Sequence, residues 1–294
     1  MIAAEPGAET VMARVADAES GAGGTEVSVD RWVRGETTHT TDQVAEEAPV
    51  ALMYHGVPHV VMLATPADLV DYAYGFTLSE ELVASAEEIR EVEVQPTSDA
   101  VEVRISIAWE RFPELLRRRR NLTGRTGCGL CGAETLAEAV RDRPGIGGGG
   151  PRVSVAELHR AIVQLESLQP LNARTGSVHA AAWVVPGEGI RCVREDVGRH
   201  NALDKVIGAL VRARMDLAAG FLLVTSRASY EMVQKAATVG IRFVAALSAP
   251  TALAVRYADR SGLTLVAFAR RDRHVVYAHP ERLEQNPAAA VRSP

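Results

Sequence analysis

Cysteine is scarce. The 294 residues contain three, Cys128, Cys131 and Cys192, too few and too unevenly spaced for a disulfide framework, so a reducing compartment is expected and the protein reads as cytoplasmic. No run of eighteen apolar residues occurs, which excludes an obvious membrane-spanning helix and any membrane partner that would need one. A basic excess is also lacking. The formal net charge is −5, whereas a general nucleic-acid binder needs a cationic face for counterion release. The first twenty residues carry Glu5, Glu9, Asp17 and Glu19 and no apolar stretch, unlike a secretory signal. What is present, 47% hydrophobic and 23% charged residues, is globular composition with length for one large domain or two smaller ones.

Residues 1–25, rich in Ala, Gly and Glu and ending near Ser20-Gly21-Ala22-Gly23-Gly24, bury too little apolar surface to order themselves and are expected to be a disordered leader. Alternation from Val27 to Val33 predicts a strand. Ala51 to Tyr54 and Val60 to Leu63, flanking His55-Gly56-Val57-Pro58, predict a hairpin with both strands mostly buried. Thr65-Pro66-Ala67-Asp68 combines a capping hydroxyl, a proline for the first helical position and a first-turn acid, with Leu69, Tyr72, Ala73 and Phe76 on one face behind it. A helix is predicted to start there. Ile89 to Val94 and Val101 to Ile107 read as strands, and Trp109 to Arg120 as a helix ending in four arginines.

Gly147-Gly148-Gly149-Gly150-Pro151 is a low-complexity break. It divides a smaller α+β domain, residues 26–146, from a second domain at 153–282, with 147–152 as a glycine-rich linker and 283–294 as a tail. The second domain opens with the capping box Ser154-Val155-Ala156-Glu157, ahead of a stripe of Val155, Leu158, Ile162 and Leu165. A hairpin about Pro186-Gly187-Glu188-Gly189 follows. Helices at about 200–214, 229–239 and 251–260 then alternate with strands at 221–225, 241–247 and 263–269, a three-layer α/β pattern.

In such sheets ligands bind beyond the carboxyl ends of the strands, where helix N-termini present N–H groups to anions. Arg194 to Asn201, Thr225 to Ser229 and Ser248 to Thr251 occupy those junctions and are dense in hydroxyl, amide and guanidinium donors, which suits a phosphorylated ligand. Each residue also has a structural reading. His200 and Asn201 can be a hydrogen-bonded corner and an N-cap, Asp204 and Lys205 a solvated turn, and Arg227 a partner for Glu231 four residues on. His55, His59, His159, His274 and His279 read as structural or surface residues.

The pair in Gly127-Cys128-Gly129-Leu130-Cys131-Gly132 admits half a zinc site, a dithiol redox centre or a reactive thiolate with a helper. Structural zinc needs four ligands, and the remaining Cys192 sits in an apolar strand. A deaminase zinc site pairs a His-x-Glu with a later Pro-Cys-x-x-Cys; no histidine ahead of this pair stands two residues before a glutamate, and Gly127 replaces the proline. No metal is therefore expected. A thioredoxin-like motif opens a rigid helix, but Gly124, Gly127, Gly129 and Gly132 crowd this segment and suit a loop built to move. A solvated linker with incidental cysteines is the plainest alternative. Arg125, Arg117 to Arg120 and a helix start near Ala133 would lower a thiol pKa, so a reactive thiolate at Cys128 is favoured.

Thr123-Gly124-Arg125-Thr126-Gly127-Cys128-Gly129-Leu130-Cys131-Gly132, Arg194 to Lys205 (REDVGRHNALDK) and Thr225-Ser226-Arg227 occur in this order. Together these three segments resemble the FdhD family of formate dehydrogenase accessory sulfurtransferases. The similarity extends from about Val27 to Arg282 and includes Thr65 to Leu69, Thr175-Gly176 with His179, and Ser248-Ala249-Pro250-Thr251. The resemblance implies that Cys128 accepts persulfide sulfur from a cysteine desulfurase, with Cys131 as its partner on the flexible loop 123–132. Sulfur then passes to the molybdenum cofactor, Mo-bis(molybdopterin guanine dinucleotide), before insertion into formate dehydrogenase. It also implies a cofactor-binding segment Phe268-Ala269-Arg270-Arg271-Asp272-Arg273, joined by His200, Asn201, Asp204, Ser226 and Arg227. GDP would be a binding analogue. A cytidine-deaminase-like three-layer C-terminal domain and a homodimer are further implications. The turn at Arg270-Arg271-Asp272 lacks the glycine or proline expected of the family. A non-catalytic chaperone that only binds the cofactor is the alternative function.

Overall fold

The computed structural model describes residues 23–98, 100–120 and 149–284. The chain enters through a two-stranded arm, β1 (Gly24–Val33) and β2 (Glu36–Ala45), turned by Arg34 and Gly35, both at positive φ. Residues 23–25 of the expected leader thus belong to the arm's base. Next come β3 (Ala48–Tyr54), β4 (Val57–Ala64), α1 (Leu69–Ser79), β5 (Ile89–Pro96) and β6 (Val101–Ile107). The four strands form a sheet in the order β4-β3-β6-β5, with β3 parallel to β6. Alternate residues Val50, Leu52, Tyr54, Val103 and Ile105 face Leu69, Tyr72, Ala73 and Phe76 of α1 in one buried core, the period-2 and period-3.6 patterns meeting as expected.

Two local expectations are corrected. The hairpin strands are not both buried: β4 is the edge strand, and Val61 and Leu63 are more than half exposed because side chains on the face away from α1 have no covering layer. The helix also starts later than Thr65. Asp68 is its N-cap, left-handed at φ 53° and without a capping side-chain bond, while Thr65 is fully buried and bonded elsewhere. A 3-10 turn, Trp109–Arg111, then leads into α2 (Phe112–Arg120).

The second region runs β7 (Val153–Ser154), α3 (Val155–Ser167), α4 (Pro170–Thr175), β8 (His179–Val185), β9 (Gly189–Asp196), α5 (Arg199–Arg212), β10 (Phe221–Val224), α6 (Tyr230–Thr238), β11 (Phe243–Ala246), α7 (Ala252–Ser261), β12 (Thr264–Ala267), β13 (Val275–Ala278) and β14 (Leu283–Glu284). The capping box is made in both directions, Glu157 N donating to Ser154 Oγ at 3.2 Å and Ser154 N to Glu157 Oε2 at 2.9 Å. The large sheet has the order β13-β12-β11-β10-β8-β9, with β10, β11 and β12 mutually parallel. Its central strands β10, β11 and β12 are buried on both faces. Leu222, Val224, Val244 and Leu265 pack with α5, α6 and α7, and Leu223, Phe243, Ala245 and Val266 pack with α3. Leu283 and Glu284, placed in the tail by sequence, pair with Val153 and Ser154.

The first region lies against the second through α1 and α5. A Cβ built on Gly75 would stand 1.7 Å from the Asp204 carbonyl oxygen, and one on Gly208 would stand 1.8 Å from that of Asp71. Two glycines therefore let the helix backbones touch, at a helix-propensity cost of about 1 kcal/mol each.

Candidate functional site

The motif Arg194 to Lys205 has two faces, and most of its polar groups point into the contact between the two regions. Asp196 is fully buried. Its carboxylate lies 2.6 Å from Lys205 Nζ and accepts from Thr65 N at 3.1 Å, Gly198 N at 2.7 Å and Asn201 Nδ2 at 2.9 Å. Lys205 donates to Thr65 O and Asn201 to Leu63 O, both at 2.9 Å. Thr65 Oγ1 accepts from Val197 N at 3.1 Å. Asp204 is likewise buried, bonded to Ser79 Oγ at 2.7 Å and Lys235 Nζ at 2.9 Å. Arg194 binds Asp71 from the other side, at 2.7 Å. Asp204 and Lys205 are thus not a solvated turn, and Asn201 is the third residue of α5 rather than its N-cap. Glu195 accepts from Leu171 N and Asn172 N at 2.9 and 2.8 Å and so caps α4, a helix too short to show a periodic pattern.

Arg199 and His200 face the other way, toward the carboxyl edge of the large sheet. Loops after the strands are tied together there. Leu247 N donates to Val224 O at 2.9 Å, Ala228 N to Ala249 O at 3.1 Å, Thr251 N to Ala228 O at 3.0 Å and Phe268 N to Ser248 O at 3.1 Å. The antiparallel β8 begins at this edge, so His179 joins it, with Ala180 N donating to Thr225 Oγ1 at 2.9 Å. The N-termini of α5 and α6 open here, neither with a side-chain capping bond, whereas α7 is capped by Thr251.

Burial, Arg199, His200 and Arg227 all hold the His179 pKa below its ordinary 6.5, opposed by Asp196. These cations share one neighbourhood. Glu231 Oε2 lies 2.7 Å from His200 Nε2, a short contact poorly directed for a ring N–H donor. Glu231 is therefore engaged by His200, and Arg227 is exposed with no ion pair to it among the described residues. Ser226 is buried, its hydroxyl donating to the Arg227 carbonyl oxygen at 3.1 Å. Arg199 Nε, Ser229 Oγ and Glu231 Oε1 are buried polar atoms without a hydrogen-bond partner among the described residues. Native interiors rarely leave such atoms orphaned. Two open helix N-termini, two guanidinium groups and two imidazoles can hold an oxyanion. Arg199 and Ser229 fall inside the junctions that the sequence marks for a phosphorylated ligand but were not singled out there as binding residues; their place in the first turn or cap of uncapped helices was the available signal.

The segment Phe268 to Arg273 lies on the same edge, after β12. Phe268 is nearly half exposed and left-handed at φ 49°, an unfavourable backbone for an aromatic residue. Ala269 is buried. Arg270 N donates to Arg273 O at 2.7 Å, closing the turn over Arg271 and Asp272 without glycine or proline. Phe268, Arg270, Arg273, His274 and Val275 line a cleft of about 290 Å³. Arg270 donates to the Leu247 and Ala269 carbonyl oxygens, and Arg271 is paired with Glu166, so among the guanidinium groups lining the cleft Arg273 is the one without a hydrogen bond among the described residues. His159 Nε2 lies 3.1 Å from His274 Nδ1 beside it.

Cys128 and Cys131 lie outside the described residues. The described cysteine, Cys192 on β9, has its thiol pushed up to about 11 by burial, which makes it a poor nucleophile at neutral pH. The tripeptide His279-Pro280-Glu281 does have His-x-Glu spacing, but His279 Nε2 lies 2.8 Å from Asp259 O at the protein surface. No cluster of three or more His, Cys, Asp or Glu able to hold a metal occurs among the described residues.

The fold and this edge define a mixed α+β protein whose larger sheet ends in a cationic, hydrogen-bond-rich surface. The chain belongs to the FdhD/NarQ family, whose model matches residues 45–284. It is 50% identical over 268 residues to a sulfur carrier protein FdhD of Cupriavidus necator, covering 90% of this chain and 91% of that one. It is 51% identical over 261 residues to the sulfur carrier protein FdhD of Xanthomonas euvesicatoria pv. vesicatoria, covering 87% and 92%. The crystal structure of a proposed formate dehydrogenase accessory protein from Desulfotalea psychrophila superposes with a TM-score of 0.70 at 25% identity, over 89% of this chain and all of that one. No helix among the described residues is long and apolar enough to cross a membrane.

Proposed function

We propose that this chain is a cytoplasmic sulfur carrier for formate dehydrogenase maturation. It takes sulfur onto Cys128 and passes it to the molybdenum cofactor, Mo-bis(molybdopterin guanine dinucleotide), as substrate. In the loading step the Cys128 thiolate attacks the outer sulfur of a cysteine desulfurase persulfide. The S–S bond of the donor breaks, its cysteine leaves as thiolate, and Cys128 carries the –S–SH group with its proton, with no net change of oxidation state. Cys131 assists on the same loop. The observation that supports the acceptor half is the edge where Arg199 Nε and Ser229 Oγ lack partners beside Arg227 and two open helix N-termini. Arg199, Arg227 and the α5 and α6 N–H groups would hold phosphates, and the cleft at Phe268 and Arg273 would take a planar base. Asn201 and Asp204 support this edge from inside the contact between the regions rather than by touching ligand.

The test has two readouts. Incubation with a cysteine desulfurase and cysteine should add sulfur, about 32 Da per atom, to the intact mass of the wild type and not to Cys128→Ala. GDP should raise the melting temperature more than ADP. Nucleotide binding without sulfur uptake would instead leave a cofactor-binding chaperone, and failure of both readouts would overturn the reading. A homodimer is expected in solution, checked by light scattering.

A further inference from the structure

A pair of stacked aromatic rings with an exposed arginine on the following helix lies outside the edge described above, shortly before the Cys128 segment in sequence. Trp109 is 65% exposed, yet one side of its ring is packed against neighbouring rings. Its ring stacks on Phe112 with centroids 5.2 Å apart and an interplanar angle of 30°, and the His55 ring meets both edge-on at 4.7 and 4.9 Å. His55 Nε2 lies 3.0 Å from the Ile107 carbonyl oxygen. The turn beneath is clamped by Arg111, whose Nε and Nη2 donate to Glu88 at 2.7 and 2.8 Å, and by Ala108 N, which donates to Glu88 O at 2.6 Å. A large exposed ring that cannot relax into its own protein is the usual anchor of a protein interface, because little side-chain entropy is lost when it is covered. Leu115 and Phe112 pack on the core of the first region, and the Trp109 ring covers the outer side of Phe112.

Charge says what kind of surface would cover the ring. The chain carries −5 overall, but Arg117 to Arg120 place four consecutive arginines on α2 and directly after it in sequence stands the segment bearing Cys128. Arg117 is two-thirds exposed and, among the described residues, pairs with the exposed Glu114 at 3.3 Å, an i,i+3 pair worth little in water. Cys128 is eight residues past Arg120, so its sulfur stays within roughly 28 Å of the end of α2 at full extension. A protein seated on Trp109, Phe112 and Arg117 is inside that radius.

Resting on the sulfur-carrier reading, we infer that the exposed surface made by Trp109 in the 3-10 turn and by Phe112 and Arg117 on α2 is the docking surface for the protein that donates the persulfide, a partner presenting an apolar socket with an acidic rim. The donor is the occupant that needs to sit at the thiol's root, because its reacting sulfur is covalently attached and must be brought to Cys128. The cofactor substrate is assigned to the edge of the large sheet instead.

The experiment compares two sulfur sources on the full-length protein, following Cys128 loading by intact mass. A purified cysteine desulfurase with cysteine requires docking; inorganic polysulfide does not. Trp109→Ala and Arg117→Glu should each lower the loading rate at limiting desulfurase by about tenfold, the scale of a lost interface anchor. Polysulfide loading should be unchanged, and Trp109→Phe should recover most of the desulfurase rate. Equal desulfurase rates in wild type and both variants would overturn the inference, as would normal loading combined with loss only of formate dehydrogenase activation, which would give this face to the acceptor enzyme. If Trp109→Ala loses both routes through misfolding, Arg117→Glu, exposed on an intact helix, decides alone. Failure of polysulfide and desulfurase alike to load wild-type Cys128 would count against the carrier reading itself.

Discussion

Lys235 Nζ lies 2.9 Å from Asp204 Oδ2 in an interior where both side chains are almost fully buried, and the same ammonium donates to Ser79 Oγ at 2.9 Å and pairs with Glu80 at 2.8 Å. α1, α5 and α6 are joined at this point. Burial works against the lysine's charge, but the Asp204 and Glu80 carboxylates outweigh it and raise its pKa. Removing one member of such a pair strands the other in a low dielectric. Asp204→Ala should therefore destabilise by about 3–5 kcal/mol, whereas Asp204→Leu combined with Lys235→Met should recover much of the loss. Urea unfolding of the three proteins checks this; a single mutant no weaker than the double would refute it.

At Gly208 two effects of opposite sign compete. Replacing a mid-helix glycine by alanine raises helix propensity by about 1 kcal/mol, but here the new methyl carbon would stand 1.8 Å from the Asp71 carbonyl oxygen, and opposing backbone cannot step aside. Overpacking of this kind costs about 1–3 kcal/mol or more. Gly208→Ala and Gly75→Ala should both lower the melting temperature.

The His179 imidazole reports on the anion edge. Burial and the neighbouring Arg199, His200 and Arg227 hold its pKa below 6.5, so its contribution to folding stability is complete above 6.5 and is lost as pH falls through the lowered value of the folded protein. A bound oxyanion offsets those cations and raises the pKa. Inorganic diphosphate should thus bind more tightly as pH falls toward 6, and the NMR titration midpoint of His179 should move up on its addition. Arg199→Ala and Arg227→Ala should each weaken binding and raise the free-state midpoint of His179. A midpoint indifferent to diphosphate would remove the ligand from this edge.

Glu157 gives a separate acid-sensitive contribution. Bonds from the Ser154 hydroxyl and the Ser154 and Gly187 backbone N–H groups lower its pKa from the ordinary 4.5. That stability is complete above 4.5 and is lost as pH falls through the lowered value. Glu157→Gln should keep the capping geometry and lose this pH dependence, while Glu157→Ala should cost about 1 kcal/mol at neutral pH. Unfolding curves at pH 7 and pH 3 separate the two.

Much of this was legible locally. The helices at Leu69–Ser79, Val155–Ser167 and Tyr230–Thr238 and the strands between them follow from periodicity and turn residues that act over a few positions. The capping box at Ser154 is a contact between residues three apart, so sequence spacing contains it. Thr65 shows where that reasoning stops. Its residue type and the proline after it say N-cap, but a buried carboxylate 131 positions later, at Asp196, takes its backbone N–H, and a bond of that span leaves no local pattern.

The sequence by itself determined which segments are helix or strand, that the larger sheet is covered on both faces, and that polar residues gather at its carboxyl edge, since each depends on neighbours along the chain. Only the tertiary structure decided which of those polar residues face outward. Within Arg194 to Lys205, cationic residues less than two helical turns apart divide between the buried contact of the two regions and the open carboxyl edge of the large sheet, and nothing in their charge separates Lys205 from Arg199. That choice is made by where α1 lies, which is set by the close approach of Gly75 and Gly208 and by burial that leaves Asp196 and Asp204 no solvent to turn to.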